Sequence, residues 1–316
     1  MIYIGLFLLS LFLTYIIKYY AIKKEILDIP NERSSHASPT PRGGGLAIVI
    51  SFYVGLFFFK EQVSSELFLA LFAGLPIVII SLLDDLLTLS SKVRLFIQGL
   101  SAILALYLLG GVNHLDFGII ELSGAWLNVF AFFIIVWLTN LYNFLDGIDG
   151  YAASQTVTLG VGLSLLLFNP LGYVLVAISL GFLVFNWHKA SIFMGDVGSA
   201  SLGFIIAVLL FSNSSGENIY FWFIALSLFW IDGSITLLRR FINGEKVMKA
   251  HKKHAFQRLV QSGFSHTLVT VGLIGFNGLF LFLMYFFDWK VLFFINILCL
   301  IIILLWVEKR KKFSDV

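Results

Sequence analysis

Eleven apolar stretches of this chain read as bilayer crossings, the one at 199–212 short, and no other feature of the sequence constrains the fold as much. They lie at about 2–20, 44–59, 67–83, 93–110, 126–142, 151–168, 170–187, 199–212, 218–238, 266–286 and 290–307. A helical crossing takes about 20 residues. Backbone inside hydrocarbon must satisfy its own N–H and C=O groups, which a helix does and an open strand does not. The expected fold class is therefore all-α, a polytopic membrane helix bundle forming a single domain over residues 1–316. Composition agrees, with 59% hydrophobic and 12% charged residues, where soluble domains carry about 25% charged. The first stretch has no basic residues before it and no small-residue cleavage site after it, so it reads as a retained span and not a signal peptide. The single cysteine, Cys299, lies within an apolar run and excludes a disulfide within the chain.

The basic residues orient the bundle. With eleven crossings, alternate loops face opposite sides. Of the 21 lysines and arginines, only Lys60 and Lys290 fall on one side, and the rest, including Arg33, Arg42, Arg94, Lys249 and 309–312, fall on the other. Positive charge marks the cytoplasmic side, so the N-terminus is expected outside and the C-terminus inside. The net charge of +3 reflects this asymmetry and gives no nucleic-acid signal.

The polar, glycine-bearing and histidine-bearing segments share the cytoplasmic side: 28–45, 84–94, 140–150, 186–199 and 232–266. Asp84-Asp85 closes one span. Carboxylates there meet the negative end of the helix dipole, a cost that a metal ion, a cationic ligand, or in part Lys92 and Arg94 would offset. The other reading is two interfacial acids in water. Adjacent helical residues point about 100° apart, so at most one of the pair faces a ligand directly. Asn140, Asn143, Asp146 and Asp149 stand three apart and would drift by about half a turn on a regular helix. Gly147 and Gly150 suggest that the helix loosens and lets the acids converge. Such an oxygen-rich set suits Mg²⁺, while interhelical amide bonding with a helix stop is the alternative.

Three further segments complete the face. Phe193-Met194-Gly195-Asp196-Val197-Gly198-Ser199 sets one acid between glycines before a span, as a metal ligand beside an anion-binding helix start or as a plain N-cap. Pro39-Thr40-Pro41-Arg42-Gly43-Gly44-Gly45 resembles a phosphate-binding turn without the Lys-Ser/Thr of a Walker motif, or is a flexible re-entry loop. In AHKKHAFQRL, His251 and His254 share a face with Arg258 one turn beyond. Zinc is disfavoured there for want of a cysteine or a suitably spaced third histidine. A phosphate-clamping loop or an ordinary positive-inside loop remains.

In this order and on one face, PTPRGGG, LLDD, NFLDGIDG, N-x-x-x-A-x-x-FMGDVGS and a histidine loop followed by GFSH resemble a known family, the polyprenyl-phosphate N-acetylhexosamine-1-phosphate transferases. It includes the peptidoglycan translocase and the enzymes that start O-antigen, enterobacterial common antigen and teichoic acid chains. The resemblance runs over about residues 28–266. It implies that Asp196 binds Mg²⁺ (or Mn²⁺), with Asp149 beside it, and that Asp84 and Asp85 handle the lipid phosphate. Asn140, Asn143, Asp146 and Asp149 would line the nucleotide and metal pocket. His254 would be the first histidine of the histidine loop, and Arg42, Gly44, Asn186 and Arg258 would contact substrate. Many members read His-x-His-His where this chain has His254-Ala255-Phe256-Gln257. That form resembles the O-antigen branch priming with N-acetylfucosamine or N-acetylquinovosamine phosphate, and no large insert for a peptide stem is evident.

The implied reaction takes a UDP-N-acetyl sugar (GlcNAc, FucNAc or QuiNAc type) and undecaprenyl phosphate in the bacterial inner membrane, releasing UMP. An oligomer is left open. The spacing does not fit a CDP-alcohol phosphotransferase, and a transporter would carry its ionisable groups at mid-membrane.

Overall fold

Helix dominates the structure, a computed structural model that describes residues 1–30, 38–87, 89–118, 120–213, 216–247 and 251–316. Arg33 and Lys249, counted above for orientation, lie outside the described residues. The helices in chain order are α1 (Ile2–Lys23), α2 (Gly45–Phe58), α3 (Ser65–Phe72), α4 (Leu75–Leu87), α5 (Ser91–Leu108), α6 (Trp126–Leu145) and α7 (Tyr151–Leu166). Then come α8 (Pro170–Asn186), α9 (Asp196–Ser212), α10 (Asn218–Ala225), α11 (Ser227–Ile242), α12 (Ala255–Gln261), α13 (His266–Leu283) and α14 (Trp289–Arg310).

Each of the eleven apolar stretches holds a helix or a helix pair. By length and composition six are long and apolar enough to cross a bilayer, seven with the bent pair α10–α11, while α2, α8 and α9 are shorter apolar helices. Periodicity along an apolar run does not reveal such breaks. Added to the expected pattern are α12 in the histidine loop and a hairpin pairing His114–Asp116 with Glu121–Ser123.

α9 is buried along nearly its whole length and packs on α2, α4 and α6. α7, also buried, lies between α8 and α13. α1 and α14 instead expose Phe12, Tyr15, Phe294 and Ile302, side chains that suit lipid and not water. The α10–α11 pair bends by 63°, which frees carbonyls that water cannot reach. Gln155 Nε2 takes the Ala225 carbonyl at 2.7 Å, and Asn277 Nδ2 holds Gln155 Oε1 at 2.8 Å. A broken helix in hydrocarbon persists only when such groups re-satisfy its backbone.

Candidate active site

Two glycine-rich segments form the floor. Phe193 N–H donates to the Pro41 carbonyl (2.8 Å), Gly44 N–H to Phe193 (3.0 Å) and Gly45 N–H to Met194 (2.8 Å). A Cβ on Gly45 would sit 2.3 Å from the Gly198 Cα, so this approach of α2 to α9 requires glycine. Gly44, expected to contact substrate, has a structural place. Its amide is spent on Phe193, and it is buried against Phe182 and Ile192. Arg42 does reach the acids, donating from Nη2 to the Asp85 carbonyl, while its buried Nε has no partner among the described residues.

The adjacent aspartates do different work. Asp85 is buried, and its carboxylate receives the Asp196 and Val197 N–H groups, each at 3.3 Å. It therefore caps the start of α9, where a negative charge meets the positive end of the dipole. Asp84 turns the other way. Oδ1 accepts from Leu89 N–H, and Oδ2 accepts from Arg94 Nη1 at 2.6 Å. The same Arg94 nitrogen donates to Asp196 Oδ2.

α6 ends at Leu145, so Asp146 and Asp149 leave the helix, as the glycines beside them suggested. Asn143 Nδ2 bonds Ser199 Oγ at 3.0 Å, tying α6 to α9. Asn140 Nδ2 bonds Gln98 Oε1 at 2.7 Å. Burial, then the negative charges of Asp196, Asp85 and Asp149, push Asp146 up to about 7. Such an acid gains from a nearby cation.

Asp149 stands apart from the Asp84–Asp196 pair. His188 Nδ1 lies 2.7 Å and His266 Nδ1 3.2 Å from its Oδ2, and Ala190 N–H donates to that oxygen at 3.3 Å. Burial works to raise this carboxyl, but the two histidines and Ala190 N–H outweigh it and hold it below its ordinary value. With the two histidines Asp149 forms a group whose ligand atoms all lie within 4.8 Å of one another, close enough to share a metal ion. Asn186 braces the site, since its Oδ1 accepts from Gly150 N–H (3.1 Å) and its Nδ2 donates to the Ile192 carbonyl (3.0 Å).

The histidine loop meets this face through Gly147, whose absent Cβ would lie 3.0 Å from Phe256 and from Gln257 Nε2. His254 is only 1% exposed, stacks on Phe256 and meets the His251 ring at a tilt. Neither of its ring nitrogens has a hydrogen-bond partner among the described residues, and Nδ1 stands 3.7 Å from Asp232 Oδ1. Burial, then its neighbours His254 and Arg240, push His251 down to about 3. Arg258 does not join the acids. It is 3% exposed, donating to Glu308 at 2.7 Å and to the Lys311 carbonyl at 3.0 Å.

Sequence reasoning missed Asp232, His188, His266 and Gln98 as named parts of the site. Asp232 carried a signal, an acid within an apolar span, and it accepts Ala255 N–H with both oxygens (2.8 and 2.9 Å) at the start of α12.

The donor set fits Mg²⁺. Oxygens from Asp84 and Asp196 already converge on one positive group, and Asp146 carries a raised pKa beside them.

A sequence profile described as glycosyl transferase family 4 matches residues 67–214, which takes in every acid of this cluster and leaves the His254 loop outside. A Bacillus subtilis (strain 168) protein named a probable undecaprenyl-phosphate N-acetylglucosaminyl 1-phosphate transferase is 32% identical over 287 residues, covering 84% of this chain and 79% of that protein. The chain belongs to this family, the polyprenyl-phosphate N-acetylhexosamine-1-phosphate transferases. Two further members show its breadth. A Mycobacterium leprae (strain TN) decaprenyl-phosphate N-acetylglucosaminephosphotransferase is 28% identical over 325 residues, 86% of this chain and 80% of that one. A Prochlorococcus marinus (strain MIT 9301) phospho-N-acetylmuramoyl-pentapeptide-transferase is 33% identical over 244 residues, 67% of this chain and 68% of that one.

Proposed function

We propose that this family member transfers an N-acetylhexosamine-1-phosphate from a UDP-sugar to undecaprenyl phosphate, with Mg²⁺ held by Asp196 and Asp84 and Mn²⁺ able to replace it. The observation that carries the reading is the meeting of Asp84 and Asp196, from helices distant in sequence, on one positive centre beside Asp146. Mg²⁺, when bound, neutralises charge developing on the leaving group.

The chain's residues supply the positioning. Asp85 fixes the start of α9, and with it Asp196. Asn143 ties the acid-bearing end of α6 to that helix through Ser199. Arg42 holds the end of α4. An oxygen of the lipid phosphate attacks the β-phosphorus of the donor. The bond from that phosphorus to the bridging oxygen breaks, and UMP leaves with its electron pair. A phosphate monoester has a second pKa near 6, so the acceptor is largely dianionic at pH 7 and needs little help from a base. Both oxygens of Asp84 are engaged, by Leu89 N–H and Arg94, which favours direct attack over a phospho-aspartate. Exchange of labelled UMP into UDP-sugar without lipid would overturn that preference.

Relatives named for N-acetylglucosamine make UDP-N-acetylglucosamine the first donor to try. The His254-Ala255-Phe256-Gln257 sequence adds the FucNAc and QuiNAc donors, and with them the start of an O-antigen. The proposed topology has eleven crossings, an outside N-terminus, and the site on the cytoplasmic face of the bacterial inner membrane. Reporters fused after Lys60, Asn169 and Asp288 should read outside, and those after Lys92, Lys189 and Lys253 inside. The decisive assay is UMP release by purified protein. It should require both UDP-sugar and undecaprenyl phosphate, stop on chelation and resume with Mg²⁺. Release without the lipid would reject the transfer.

A further inference from the structure

Arg94 does more than offset charge at the end of α4. It stands in the first turn of α5, and its Nη1 alone contacts both acids, Asp84 Oδ2 at 2.6 Å and Asp196 Oδ2. The two carboxylates are held independently of it. Asp84 is fixed by Leu89 N–H through its other oxygen, while Asp196 is placed by its main-chain N–H on Asp85 and its side chain is hydrogen-bonded by Asn143. Withdrawing the arginine would therefore leave two oriented oxygens facing one point. The Arg94 side chain is 29% exposed, on a long flexible stem, so withdrawal breaks no packed core. A guanidinium and a divalent cation on the same two oxygens would stand within a few ångströms, where like charges repel strongly in a partly buried site.

We propose that Arg94 and the divalent cation exchange at Asp84 and Asp196, the arginine holding the two carboxylates when no cation does and being displaced as the cation binds. This rests on the metal reading of Asp196 given above. Metal affinity is then set against an internal competitor. Loading is linked to a movement of the Arg94 side chain, one turn before Gln98, which holds Asn140. Arg94 is a positioning residue here, acting on the metal and not on the reacting phosphorus.

The test is Mn²⁺ binding alone, followed by electron paramagnetic resonance on the full-length protein in detergent, without substrate. Arg94→Gln should bind Mn²⁺ about tenfold tighter or more than wild type, the equilibrium weight of one charge-assisted hydrogen bond. Arg94→Lys keeps one charge but loses the fork, and should fall between them. The Lys variant also serves as the reading should Arg94→Gln fail to fold. Equal affinity in all three proteins, or weaker binding in both variants, would overturn the exchange while leaving the metal site standing. No Mn²⁺ binding by any of them would remove the metal reading, and the exchange with it.

Discussion

The acid cluster and the histidine loop looked alike in sequence, two polar islands on one side of the membrane, but the structure finishes them differently. In the acid cluster, Arg94 bridges Asp84 and Asp196, and Asp196, Asp85 and Asp149 all bear on Asp146. In the loop the charges are closed on one another. Arg240 and Lys253 share Glu245, Arg239 and Arg258 share Glu308, and Asp232 caps α12. Phe313 is buried beneath three cations, with Arg239 at 4.1 Å, Lys253 at 5.0 Å and Arg258 at 5.7 Å from its ring. The acid cluster gathers two carboxylates on a single arginine, whereas the loop pairs each of its acids with two cations or a helix start, and the loop is chiefly a brace that seats His254.

The sharpest break between the regions is catalytic. Asp196→Asn should lose orders of magnitude in kcat while the protein still folds, because a ligand charge goes at constant shape. Wild-type turnover in that variant would end the distinction. Asp84 and Asp85 offer a finer cut. Asp84→Asn removes the second proposed ligand charge and should both lower kcat and raise the Mg²⁺ concentration needed for half-maximal turnover. Asp85→Ala removes the cap of α9 and should cost about 0.5–2 kcal/mol of stability, read as a lower melting temperature. If Asp85→Ala left the melting temperature unchanged, the division of labour between the neighbours would fail.

The brace should yield smaller effects. Phe313→Ala or Glu308→Gln frees Arg258 and Arg239 without touching the acids, and local opening of the loop should precede global unfolding. Turnover should drop a few-fold, with faster tryptic cleavage after Lys252 and Lys253. A loss as deep as that of Asp196→Asn would place the loop's charges in the chemistry.

How much of this was legible beforehand depends on range. Apolar runs located the helical segments because lipid imposes one rule on every residue within it, and glycines beside Asp146 and Asp149 signalled a helix end. The bend at Leu226 was hidden, since the Gln155 that repairs it lies in another helix. The bracing partners of Gly44 and Asn186 were hidden for the same reason. Those partners, Phe193 and the Gly150 and Ile192 backbone, are set by packing that no local spacing encodes. Arg258 looked like a phosphate clamp until Glu308, fifty residues away, claimed it.

The smallest expected effect concerns Asp146, and it tests the charge crowding directly. Burial and three neighbouring acids push its carboxyl up to about 7, so the folded protein retains a proton there that the unfolded chain, with an ordinary carboxylate pKa, releases near 4. The folded state then binds more protons than the unfolded state between those values, and stability falls as pH rises. The advantage is complete below about pH 4 and gone above about 7. In chelator the melting temperature should therefore drop by a few degrees between pH 5 and 8, and Asp146→Asn, which does not titrate, should flatten that slope. Mn²⁺ should flatten it as well, since a cation among the carboxylates favours their ionised forms. The histidine loop makes the opposite case, because its acids already have partners, and Glu245→Gln should leave the slope as it was. An unchanged slope in Asp146→Asn would mean that the acids of the first region are no less balanced than those of the second.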